Sequence, residues 1–120
     1  MKVILAVVFG FVLAACGREA DVVIVVSADA EWRALTNALG LSPAEVTPYG
    51  AAFRQRLRYA DGPAETVVMH GGWGKTDAAG SMQYAIDRFA PRLVVNLGTC
   101  GGFAGLVKKG DIVVVTNALQ

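Results

Sequence analysis

Three short segments hold residue types that could do chemistry: Ser27-Ala28-Asp29-Ala30-Glu31, His70-Gly71-Gly72-Trp73-Gly74-Lys75-Thr76 and Asn96-Leu97-Gly98-Thr99-Cys100-Gly101-Gly102. In the first, Glu31 offers a carboxylate able to take a proton from water. At helical spacing it shares a face with Ala34, Leu35 and Ala38. Its carboxylate is therefore expected along a buried stripe, where an unpaired charge is costly and the pKa rises. A first-turn glutamate stabilised by the helix N-terminus fits the same position, and at this level the two readings are even.

The second segment has the look of a phosphate cradle and fails the spacing. A P-loop needs glycine at its first and sixth positions, then Lys and Ser or Thr. Counting back from Gly74-Lys75-Thr76, the first position falls on Met69, and Gly71 and Gly72 sit too near the lysine. Lys75 reads better as a helix-start surface residue. The third segment is not the dinucleotide fingerprint either, because two residues separate Gly98 from Gly101 where the pattern has one. Such a turn presents backbone amides and the Thr99 hydroxyl to whatever sits above it. His70 is the only histidine, which excludes a multi-histidine metal centre, and no structural zinc and no cofactor are expected. A Cys100–His70 couple is conceivable, but the simpler expectations are a strand-end His70 with a local hydrogen bond and a small, buried Cys100 among glycines.

The elements that must position these segments follow from periodicity. Val22–Val26 is a continuous β-branched run, as in a strand covered on both faces. Residues 30–39 read as a helix with Ala34, Leu35, Ala38 and Leu39 on one stripe, stopped by Gly40 and Pro43. Between residues 48 and 62, Phe53, Leu57 and Tyr59 alternate with Arg54, Arg56 and Arg58, which predicts an edge strand with a solvated arginine face, and Asp61-Gly62 predicts a hairpin turn. Residues 66–69 make a further strand, and residues 76–89 a helix with Ala78, Ala79, Met82, Ala85, Ile86 and Phe89 at three-and-four spacing. Residues 93–97 and 112–115 are the remaining strands. Alternating strands and helices imply an α/β layer fold with a largely parallel sheet, and ligands of such sheets bind beyond the carboxyl ends of the strands, where all three segments fall.

The chain has 120 residues, 54% of them apolar, and a formal net charge of +1. That suits one domain and argues for no nucleic-acid partner. Its start reads as a leader: Met1-Lys2 is positive, residues 3–15 are apolar or glycine, and Leu13-Ala14-Ala15-Cys16 closes the run. The run is shorter than the roughly 20 residues of a membrane span. The ending resembles the bacterial lipobox, which implies residues 1–16 as a lipoprotein-type signal peptide, lipidation of Cys16, residues 17–21 as a tether, and a lipid-anchored protein of the cell envelope. A cytoplasmic protein with a buried first strand is the alternative. With Cys16 lipidated, Cys100 has no disulfide partner in the chain.

Taken in order, the three segments, with Val107-Lys108-Lys109-Gly110-Asp111-Ile112-Val113 after them, resemble the purine nucleoside phosphorylase and nucleosidase superfamily, and within it the methylthioadenosine/S-adenosylhomocysteine nucleosidase branch. The resemblance runs over residues 22–120 and implies an α/β fold with a mixed, largely parallel sheet flanked by helices. By resemblance, Glu31 matches the glutamate that activates the attacking water and Thr99 a residue that positions the nucleophile. Cys100 and Gly101 match positions lying against a small-molecule nucleoside, and Trp73 an apolar position near its 5′ substituent. The implied chemistry is cleavage of an N-glycosidic bond through an oxocarbenium-like state. Phosphorylases of the superfamily usually carry arginine two residues before the glycine of the third segment, and here Asn96 stands there, so water is the expected acceptor. The family chain is about twice as long, and its later half supplies a Met-Glu pair and the aspartate that protonates the purine, so weak or incomplete activity is expected. A phosphate-dependent phosphorylase and a non-catalytic nucleoside-binding lipoprotein are the alternatives. The family commonly forms homodimers.

Overall fold

A computed structural model of the chain describes residues 19–41 and 45–117. The expected leader and Cys16 lie outside the described residues. The elements are β1 (Val22–Val26), α1 (Asp29–Leu39), β2 (Glu45–Thr47), β3 (Gly50–Tyr59), β4 (Gly62–His70), α2 (Gly74–Phe89) and β5 (Leu93–Asn96). They build one sheet in the order β2-β3-β4-β1-β5. β1 runs parallel to both β4 and β5, whereas β2, β3 and β4 form an antiparallel run. The sheet is mixed and flanked by helices, as expected.

The β-branched run of β1 takes the inner position that its composition requires, with Val23 and Val25 facing α2 through Val67, Met69, Ala85 and Phe89. Phe89 and Ala85 are fully buried, and so is Ser81, whose hydroxyl donates to the Ala78 carbonyl at 3.0 Å. The buried face of α2 is therefore Ser81, Ala85 and Phe89, while Ile86, expected on it, is exposed. α2 also begins two residues earlier than its periodicity indicates, at Gly74. The Phe89 carbonyl accepts from the Glu19 and Ala20 amides, and the Glu19 carboxylate receives the Arg88 and Arg54 guanidiniums. Those contacts fix where the chain enters the sheet. Both guanidiniums also stand over the Phe89 ring, at 5.3 and 5.2 Å from its centroid.

Two expectations change, for α1 and for residues 112–115. α1 buries none of its residues, so the apolar stripe of Ala34, Leu35, Ala38 and Leu39 is not a core face. The helix instead meets the sheet through Trp32, stacked on Phe53 at 5.0 Å. β3 is an edge over most of its length, as expected: the hairpin pairs it with β4 through Tyr59 and Gly62, whereas β2 pairs only with residues 50–52 on its other side. Its arginines are exposed, as expected, with Arg54 beside Glu19 and Glu45 and Arg56 at 3.9 Å from Glu65. Finally, residues 112–115 form no strand. Ile112 is 94% exposed and Val114 81%, because a β-branched run becomes a strand only against a partner, and no described strand pairs with it. Among the described residues no helix is long and apolar enough to cross a membrane.

Candidate active site

The parallel register of β4, β1 and β5 decides where the chemistry sits. Val26 pairs with His70 and Val25 with Asn96, so all three segments leave the sheet at one edge. After β1 the chain turns within Ser27 and Ala28 into α1, whose first turn carries Asp29 and Glu31. After β5, the Leu97 amide donates to the Val25 carbonyl and brings Thr99 over the start of that helix.

There Glu31 meets Thr99. Its Oε1 accepts from the Thr99 amide at 2.6 Å and from the Thr99 hydroxyl at 2.5 Å. Gly98 makes the approach possible: a Cβ there would lie 3.2 Å from Glu31 Oε2. The Thr99 hydroxyl, and after it the Thr99 amide, hold the Glu31 carboxyl below the ordinary glutamate range. This decides between the two readings that were even, against a raised pKa. The carboxylate does not point into a buried stripe that would neutralise it but outward to two donors that favour its charged form. At neutral pH it is an anion whose second oxygen has no donor from Thr99.

The other nominated residues divide between two hollows. Trp73 precedes α2, is 77% exposed, and lines a cleft of about 710 Å³ with Ser27, Asp29, His70 and Gly72. Cys100, Thr99 and Gly98 line a second hollow of about 640 Å³ with Val107 and Lys108. Gly101 is exposed beside them, and Cys100 is an exposed free thiol rather than a buried one, because nothing among the described residues packs over its turn. With His70 in the first hollow and Cys100 in the second, no Cys–His couple forms. Lys75 lies exposed in the first turn of α2.

Sequence reasoning passed over Asp29, Trp32 and Tyr49. His70 ends β4, with its Nδ1 at 3.3 Å from the Tyr49 carbonyl and its Nε2 at 3.1 Å from Asp29 Oδ1. Alternation along β4 was the available signal. Val67 and Met69 face α2, so His70 must face α1 and its first-turn residues.

Comparison with known families gives a match to the phosphorylase superfamily over residues 21–120, which takes in all three segments. The chain belongs to the phosphorylase superfamily. Among curated members, the 5′-methylthioadenosine/S-adenosylhomocysteine nucleosidase of Anoxybacillus flavithermus is 43% identical over 57 residues, covering 48% of this chain and 25% of that protein. Those of Bacillus licheniformis and Bacillus subtilis are 44% and 38% identical over 53 residues, each covering 44% of this chain and 23% of theirs. The aligned stretch thus spans about a quarter of those relatives. No solved structure matched. Within the superfamily chain, the Glu31–Thr99 contact joins the first matched segment to the third.

Proposed function

We propose that the protein hydrolyses the N-glycosidic bond of a purine nucleoside carrying a 5′-thio substituent, with Glu31 activating the water. The observation that carries this reading is the Glu31 carboxylate held by both donors of Thr99 at the carboxyl edge of the sheet. Held there as an anion, it orients a water on its other oxygen and takes its proton as the new bond to the sugar forms. The same negative charge stabilises the oxocarbenium-like carbon as the bond to the base breaks. Thr99 fixes the direction of the carboxylate, and Trp73, Cys100 and Gly101 supply nucleoside-facing surface. The departing purine also needs a proton, which the family resemblance assigns to an aspartate of the later half of the family chain. Asn96, a neutral amide at the end of β5, favours water over phosphate as acceptor.

The protein carrying this chain is expected to release adenine from methylthioadenosine in phosphate-free buffer, at a rate unchanged by added phosphate. Release that requires phosphate would make it a phosphorylase instead. Binding of adenosine analogues in a calorimeter with no release of base would make it a binding module.

The Leu13-Ala14-Ala15-Cys16 ending supports lipid attachment at Cys16 and a place at the bacterial envelope. Replacing Cys16 by Ser is expected to move the protein from the membrane fraction to the soluble one. A variant that fractionates like the parent contradicts the anchor.

A further inference from the structure

We propose that His70 is a positioning residue for Glu31, acting as a clamp on the first turn of α1. This rests on Glu31 being the water-activating group. α1 has no buried residue, so neither a core face nor a broad packing surface sets the position of its first turn. What holds that turn is a small set of contacts, and His70 makes two of them, on either side of Glu31. Its Nε2 lies 3.1 Å from Asp29 Oδ1, two residues before Glu31. Its ring packs edge-on against Trp32, the residue after Glu31, with centroids 5.2 Å apart.

The imidazole is itself well fixed. Its side chain is 18% exposed, its Nδ1 is anchored at 3.3 Å from the Tyr49 carbonyl, and a Cβ on Gly50 would lie 2.8 Å from that nitrogen. The ring fills space that a side chain at position 50 would take. Nε2 makes no hydrogen bond, so its contact with Asp29 is one of proximity, sensitive to either partner. Arg33 and Asp77 line the same cleft, Asp77 from the first turn of α2. His70, at the end of β4, ties the turn bearing Glu31 to the sheet beside the Trp32–Phe53 stack.

The test uses His70→Phe, which keeps a ring against Trp32, Asp29→Asn at an exposed position, and the double variant. Each single variant is expected to lower kcat for nucleoside hydrolysis by about tenfold to a hundredfold, as a misplaced catalytic group does, with KM within about twofold. The double variant should be no worse than the poorer single one, because both remove one contact. Independently of activity, backbone amides at residues 31–35 should exchange with solvent faster in each single variant. Additive losses, a rise in KM in place of the fall in kcat, or unchanged exchange in α1 would overturn the clamp. Faster exchange in a protein that hydrolyses no nucleoside supports the clamp and overturns the functional reading alone.

Discussion

Glu31→Gln is expected to lower kcat/KM for nucleoside hydrolysis by ~10²–10⁴-fold, the usual contribution of one positioned general base. Glutamine keeps the shape and can still accept from the Thr99 amide, so substrate binding should change little. It cannot take the proton of the water, and it brings no charge to the developing oxocarbenium carbon. The pH profile gives an independent check. Thr99 lowers the Glu31 pKa, so the active carboxylate persists on acidification until the pH falls below the ordinary glutamate range. The acid limb of kcat/KM should therefore lie below that range in the parent. In Thr99→Val the lowering hydroxyl is gone, and the limb should move up. Retention of full activity by Glu31→Gln, measured as adenine release, would remove Glu31 from the mechanism. An acid limb that stays in place in Thr99→Val would show that the hydroxyl does not set the carboxylate.

The second large effect is on stability. Gly72→Ala should destabilise the fold by about 1–3 kcal/mol or somewhat more, the usual cost of forced overpacking. A Cβ at position 72 would lie 2.2 Å from the Asp77 Cβ, 2.7 Å from its carbonyl carbon and 2.8 Å from its carbonyl oxygen. Two of those atoms are backbone, so no side-chain rotation relieves the overlap, and the first turn of α2 must shift. That shift works against the burial of Ser81, Ala85 and Phe89 further along the same helix. Against a total stability of roughly 5–15 kcal/mol, the loss is a large fraction. Denaturant titration should show a lower midpoint for Gly72→Ala. Gly101→Ala, where a new Cβ meets nothing within 4 Å, should unfold within about 0.5 kcal/mol of the parent. Equal midpoints for Gly72→Ala and the parent would mean that the glycine is not needed for the close approach.

These two sites also mark what was legible from sequence. Local signals read well: the β-branched run of β1, the spacing of Ala85 and Phe89 in α2, and the Asp61-Gly62 turn between β3 and β4. Each depends on neighbours in the chain. What was not legible depends on partners far away in it. β2 is three residues long and exists only through its pairing with the first three residues of β3. The run at 112–115 has strand composition without a partner strand among the described residues. In the site, Glu31 and Thr99 were nominated separately, but their contact spans 68 positions and no spacing rule contains it. The direction of the Glu31 pKa was undecided for the same reason. Desolvation was inferred from the helix's own stripe, whereas the controlling donors came from the loop after β5. Cys100 was expected inside because glycines allow close approach, yet a turn is buried only if something covers it.

The unpaired run at 112–115 has a colloidal consequence. Ile112, Val113, Val114 and Val115 are all at least half exposed, a short β-branched window of the kind that templates intermolecular strands. A net charge of +1 supplies little long-range repulsion between molecules. The burden of keeping such windows apart falls on the charges that precede them, Lys108, Lys109 and Asp111, which act as gatekeepers of solubility in a segment whose neighbours at Gly98 and Thr99 hold the candidate catalytic carboxylate.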